Sequence, residues 1–131
     1  MIKDRIKVNN LKKKIISSEE ASLLIKDGMI IGTSGFTPSG YPKEIPLALV
    51  KRLDESKERI SITLITGASV GDEIDGEFAK RGFISKRILY QTNDCCRNSI
   101  NNGEISFVDI HLSHLSQYIN YGFLGKIDLG I

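Results

Sequence analysis

Gly32, Gly35 and Gly40 are the first residues of this chain whose types and spacing suggest chemistry. They follow a short apolar run, Met29-Ile30-Ile31, and give way at Pro42 to a helical pattern. That is the order of a strand, a glycine loop and a helix. Glycine lets the backbone turn through positive φ and brings bare N–H groups close to a ligand, and the helix start behind adds the positive end of its dipole. Such a loop favours a phosphate, a carboxylate or an oxyanion. It also serves as a tight βα connection with no ligand at all.

Four carboxylates stand near turns: Glu44 in a Pro-Lys-Glu helix start, Asp75 and Glu77 in a short polar connection, and Glu104 after a turn. An acid at a helix start is already explained by the dipole, and Asp75, Glu77 and Glu104 sit in polar connections and turns. Cys95 would lie near a helix start, which lowers a thiol pKa, but no base stands beside it in a recognisable pattern. His111 and His114 are three residues apart and could share a helix face. Two imidazoles without a third ligand make no metal site, so no metal is expected.

The elements that must hold these residues follow from periodicity. Ile2, Ile6, Leu11 and Ile15 recur about once a turn among lysines and arginines, which predicts an amphipathic helix over 1–16. Ser17 with Glu20 forms a capping box for a second helix that Gly28 can end. Pro42 suits a first helical position, and Ile45, Leu49, Val50 and Leu53 carry that helix to about Glu58. The alternating, β-branched Ile60–Thr66 reads as a strand, and 67–71 turns the chain at its carboxyl end. A short helix over Glu73–Arg81 closes at Gly82, and a third strand covers Ile84–Gln91. Asn93-Asp94 caps a helix that stops at Asn101-Asn102-Gly103, Leu112–Tyr121 is helical, and Ile127–Ile131 begins a further strand. Strands alternating with helices imply an α/β fold, a parallel open sheet with helices on both faces. Ligands bind at the carboxyl ends of such strands, so the loops at 32–40, 67–71 and 92–94 should converge.

At 131 residues and 40% hydrophobic content the chain suits one domain. Eighteen basic against 16 acidic residues leave +2, mostly in the patch Lys3–Lys14, which does not suggest nucleic acid. No apolar run approaches the roughly 18 residues of a membrane span, and no leader pattern precedes the first helix. Adjacent Cys95 and Cys96 offer neither a disulfide framework nor a spaced metal pair. A cytoplasmic protein is expected.

The order of an acidic residue, Gly, an apolar strand, Gly-Phe, three residues, Gly, one residue and Pro resembles the glycine motif of class I coenzyme A transferases. Gly35-Phe36, Gly40 and Pro42 fall at the matching places after Asp27-Gly28. Ser34 stands where many members have a first glycine, and Gly32-Thr33 interrupts what is usually a longer aliphatic run. The form Gly-Thr-Ser-Gly-Phe-Thr-x-x-Gly-Tyr-Pro-Lys is similar to the acetyl-CoA hydrolase/transferase branch, which includes succinyl-CoA:acetate CoA-transferases. The likeness continues through 62–69, Asp75-Gly76-Glu77, Thr92, Arg97-Asn98 and 100–104, and so covers nearly all of the chain.

The resemblance implies the amino-terminal one of two related α/β halves, with 1–131 an amino-terminal domain truncated at its carboxyl end. It implies an enzyme that moves coenzyme A between an acyl-CoA such as succinyl-CoA and an acid such as acetate. In the family a glutamate attacks the acyl-CoA, an acyl-glutamyl anhydride forms and CoA becomes linked to that glutamate as a thioester. That glutamate lies in the other half, so no catalytic residue is expected here. Gly35, Phe36, Gly40, Ser69 and Thr92 are the expected substrate-binding residues, with Ser69 and Thr92 lining the place of the carboxylate. CoA enters as a substrate, with no tightly bound cofactor. The alternatives are an acyl-CoA hydrolase and a non-catalytic module that binds an anion or a phosphorylated metabolite. An open apolar edge at Ile127–Ile131 points to a homodimer.

Overall fold

The structure is a computed structural model that describes residues 5–37 and 39–131. Its strands form one five-stranded sheet. They are β1 (Ile30–Thr33), β2 (Ile62–Thr66), β3 (Ile84–Ile88), β4 (Ser106–Val108) and β5 (Leu129–Gly130), in the spatial order β4-β3-β2-β1-β5. Every pairing is parallel, with Ile31 opposite Leu64 and Leu129, and Arg87 opposite Leu64 and Phe107. Asp27 and Gly28 set the first register: the Asp27 carboxylate accepts from Ser61 N at 2.7 Å, and Gly28 N donates to Ser61 O at 3.0 Å.

The helices are α1 (Asn9–Lys12), α2 (Ser18–Ser22), α3 (Glu44–Ser56), α4 (Glu77–Lys80), α5 (Asp94–Asn101) and α6 (Leu112–Asn120), with a π-helical turn over Asp72–Gly76. On one face of the sheet Ile31, Ile62 and Leu64 pack with Leu49 and Leu53 of α3, Phe78 of α4 and Cys96 of α5. On the other, Ile65, Ile88 and Leu89 meet Leu115 of α6 and the chain at Leu124 and Ile127. Helices therefore cover both faces. Full burial of each of these Leu or Ile side chains is worth about 1.5–3 kcal/mol.

The local signals explain most boundaries. The Ser17 hydroxyl accepts from Glu20 N at 3.1 Å while the Glu20 carboxylate accepts from Ser17 N at 2.8 Å, which completes the capping box. Asn93 caps α5 by accepting from Cys96 N at 3.1 Å. Pro46 is the third residue of α3, where no N–H is needed, and the first helical residue is Glu44, with Lys43 as cap, rather than Pro42.

Several expectations are corrected. In place of a helix over 1–16, residues 6–17 contain the single turn α1, and Ile2 lies outside the described residues. Leu11 and Ile15 of the expected stripe are exposed and only Ile6 is half-buried, so the stripe is poorly covered, and a helix this short does not hold in water by propensity alone. α2 stops at Ser22, and Gly28 (φ +77) turns the chain later. β3 ends at Ile88 instead of Gln91, because Leu89 takes a left-handed conformation (φ +74) that no strand continues. The helix expected over Glu73–Arg81 is the π-helical turn followed by α4. No helix among the described residues is long and apolar enough to cross a membrane.

Candidate functional site

Three loops leave the carboxyl ends of β1, β2 and β3 and meet. The first folds back on itself: Phe36 N donates to Ser39 O at 3.0 Å, Ser39 N donates to Phe36 O at 3.3 Å, and the Ser34 hydroxyl donates to Gly40 O at 2.8 Å. Gly35 has φ +126, and a Cβ there would stand 2.6 Å from Tyr41 Cβ. A Cβ on Gly67 would stand 2.8 Å from Gly35 O, so the first loop lies directly on the second.

Tyr41 locks this stack. Its hydroxyl donates to the Glu73 carboxylate at 2.6 Å, and its ring covers Gly71, where a Cβ would fall 2.0 Å from the hydroxyl oxygen. Lys43 Nζ sits 4.8 Å from the Tyr41 ring centroid. The hydrogen bond to Glu73, then burial and the charges of Glu73 and Asp72, push the Tyr41 phenol up to about 12. The same bond holds the Glu73 carboxyl below its ordinary value.

Ser69 and Thr92 form the next contact. Thr92 N donates to Ser69 Oγ at 3.0 Å, and the two hydroxyl oxygens are 2.7 Å apart. Ser69 is buried and Thr92 exposed. Ser69 has one proton to give, and Thr92 Oγ1 at 2.7 Å is a better acceptor than Val70 O at 3.5 Å. Either hydroxyl can be the donor between them, and where Ser69 donates the Thr92 proton faces away from the pair. Thr37, Ser69, Val70, Gly71, Tyr90 and Thr92 line a cavity of about 220 Å³. A second, of about 370 Å³, shares Val70, Gly71 and Thr92 with it and extends to Asn93 and Cys95.

Under this floor lies a buried ion pair. Arg87 and Asp75 are both 0% exposed, joined by Arg87 Nε to Asp75 Oδ1 at 2.8 Å and Nη2 to Oδ2 at 3.1 Å. Arg87 Nη2 also donates to Ala68 O at 3.3 Å and Nη1 to Ile88 O at 2.6 Å, while Val70 N donates to Asp75 Oδ2 at 3.4 Å.

Of the expected binding residues, the structure brings Ser69 and Thr92 together at a cavity wall. Gly35 lies behind them against Gly67 and Tyr41, Gly40 (φ +73) stands in open space, and Phe36 is 62% exposed. None of the four carboxylates lines the cavity. Glu77 is held by Lys80 and Arg81, and Asp75 by Arg87. His111 caps α6, accepting from Ser113 N at 3.3 Å, and no cluster of metal-ligating side chains occurs among the described residues. Tyr41, Glu73 and Arg87 were missed. Their contacts span 32 and 12 residues of sequence and leave no local signal.

The chain matches, over residues 1–131, the family described as the acetyl-CoA hydrolase/transferase N-terminal domain. It is 50% identical over 127 residues to the succinyl-CoA:acetate CoA-transferase of Clostridium kluyveri, covering 97% of this chain and 24% of that protein. It is 40% identical over 119 residues to the propanoyl-CoA:succinate CoA transferase of Escherichia coli K12, covering 88% and 24%. With the acetyl-CoA hydrolase of Kluyveromyces lactis the identity is 37% over 128 residues, covering 96% and 24%. Thus the chain spans about a quarter of the length of the curated relatives it matches. Its fold is that of an acyl-CoA transferase of Escherichia coli O157:H7 solved as a thioester complex with CoA, with a TM-score of 0.68, 16% identity, and coverage of 82% of this chain and 22% of that one. A motif of glycines and hydroxyls at the ends of parallel strands, and a match along its whole length, place this chain in the acetyl-CoA hydrolase/transferase family, as its N-terminal domain.

Proposed function

We propose that this chain is the amino-terminal part of an enzyme that passes coenzyme A from an acyl-CoA such as succinyl-CoA to a small acid such as acetate. The observation that carries the reading is the Ser69–Thr92 hydroxyl pair at the cavity wall, in a chain half identical to a succinyl-CoA:acetate CoA-transferase. CoA is a substrate and no tightly bound cofactor is invoked. Two free thiols, Cys95 and Cys96, suit a reducing compartment such as the cytoplasm.

The reaction divides between this domain and the rest of the enzyme. A glutamate outside this chain attacks the thioester carbonyl, CoA leaves as thiolate, and an acyl-glutamyl anhydride remains. The thiolate then attacks the glutamyl carbonyl, releasing the first acid and leaving a glutamyl-CoA thioester. The second acid reverses these steps and departs as its CoA ester. What this domain contributes is a place for the acid. The Thr92 hydroxyl donates to its carboxylate, Ser69 holds that hydroxyl in place, and the loops around Gly35 and Gly67 stack to wall the site.

Relatives named acetyl-CoA hydrolase supply the second reading, in which water takes the acid's part. The full-length enzyme given succinyl-CoA and acetate should form acetyl-CoA in step with loss of succinyl-CoA. Loss of thioester without acetyl-CoA would favour the hydrolase, and loss of neither would leave a binding module. The 131-residue chain alone should catalyse no exchange, and exchange abolished by Glu44→Ala would overturn the division of labour.

A further inference from the structure

We propose that Arg87 and Asp75 are positioning residues for the acid: their buried pair grips the peptide groups on either side of Ser69 and thereby sets the Ser69–Thr92 hydroxyl pair. The proposal rests on the reading of that hydroxyl pair as the carboxylate's donor. Arg87 Nη2 holds Ala68 O and Asp75 Oδ2 holds Val70 N, the two backbone groups that flank Ser69. The same guanidinium holds Ile88 O, where β3 gives way to the left-handed Leu89 and the segment that delivers Thr92. One rigid, planar group thus ties the end of β2 to the end of β3.

Stability alone is a poor account of this arrangement. A fully buried ion pair carries a large desolvation cost, and well-packed apolar residues of similar volume often replace such pairs without loss. Apolar residues could not bond Ala68 O, Ile88 O and Val70 N. The pair instead gives directional contacts beside the point where the Ser69 and Thr92 loops meet within a hydrogen bond's length.

A role through Thr92 predicts coupling to Thr92, whereas a role in the fold alone does not. In the full-length enzyme, Asp75→Asn should raise the KM for acetate about 10-fold, and in a Thr92→Val background it should raise it less than about 2-fold further. The same factor in both backgrounds, or no change in either, would sink this proposal while leaving the proposed function intact. Wild-type enzyme that exchanges no acid, or a Thr92→Val enzyme with an unchanged acetate KM, would instead sink the reading on which it rests. Should Asp75→Asn not fold, the volume-preserving Asp75→Leu/Arg87→Met pair takes its place in the same cycle. Failure of that variant to fold as well would overturn the proposal, since the pair would then be required for folding itself.

Discussion

Ser69 and Thr92 lie 23 residues apart in sequence and 2.7 Å apart between hydroxyl oxygens, one at the end of β2 and the other just beyond β3. Parallel strands make such meetings possible, because every strand delivers its carboxyl-terminal loop to the same edge of the sheet. Which two residues meet there depends on where each strand stops. For β3 that is Ile88, next to the left-handed Leu89.

Removing either hydroxyl from the full-length enzyme should weaken the handling of the acid. Ser69→Ala leaves the Thr92 N–H without its acceptor, and Thr92→Val removes the donor to the substrate. A polar group left unpaired costs about 1–3 kcal/mol, or roughly 5- to 150-fold in kcat/KM. Kinetics equal to wild type in both variants would remove the pair from the site.

The Tyr41–Glu73 bond should be visible as a pH dependence. The Tyr41 phenol is raised from 10.0 to about 12, so the stability it contributes is complete below pH 10 and is lost as pH rises towards 12. Glu73 is lowered, so its share is present above the ordinary carboxylate range and is lost only as pH falls through the depressed value. Denaturant midpoints of wild type and Tyr41→Phe should therefore converge between pH 10 and 12. A constant difference across that window would mean that the phenol titrates normally.

Gly71 is required by space rather than by conformation. Its φ of −85° suits any residue, but a Cβ would lie 2.0 Å from the Tyr41 hydroxyl oxygen. Gly71→Ala must push Tyr41 away from Glu73, at about 1–3 kcal/mol. In a Tyr41→Ala background the same change should cost almost nothing. An equal loss in both backgrounds would trace the effect to the backbone.

The two adjacent thiols should differ in reactivity. Cys96 is fully buried, and burial, with the Asp75 charge adding to it, pushes its thiol up to about 12. Cys95 is partly exposed at the cavity beside Thr92. One thiol per native chain should react quickly with an aromatic disulfide reagent, and two in denaturant. Two fast thiols in the native chain would show that α5 is open.

How far the sequence could be read follows from the range of each interaction. The capping box of Ser17 and Glu20 and the Asn93 cap act within three residues, and both stood out in the sequence. Ser69 and Thr92 were found through family likeness, since a lone Ser or Thr at a strand end is also an ordinary turn residue. Arg87 was hidden. It sits in a strand as Lys86 does, and only the fold shows that one side chain is fully buried against Asp75 while the other is exposed. The expected amino-terminal helix failed for the opposite reason. Its periodicity was real, but Leu11 and Ile15 stay exposed and join neither apolar cluster.

The last prediction concerns the edge beside β1. Leu129–Gly130 pairs with Ile31 and Gly32 on one side, and among the described residues no strand pairs with its other side. Beside it Ala21, Leu24, Ile45, Leu129, Gly130 and Ile131 form an apolar groove of about 300 Å³, and Leu23 and Leu24 are exposed nearby. An uncovered strand edge next to apolar surface is a template for pairing with another chain, since both its backbone groups and its apolar area gain by being covered. The 131-residue chain should therefore self-associate at micromolar concentration. Lys or Glu at Leu24 should weaken this by placing a charge where the partner would pack. Sedimentation equilibrium that shows a stable monomer across the micromolar range would mean that the edge is tolerated in water, and that this domain closes its own core.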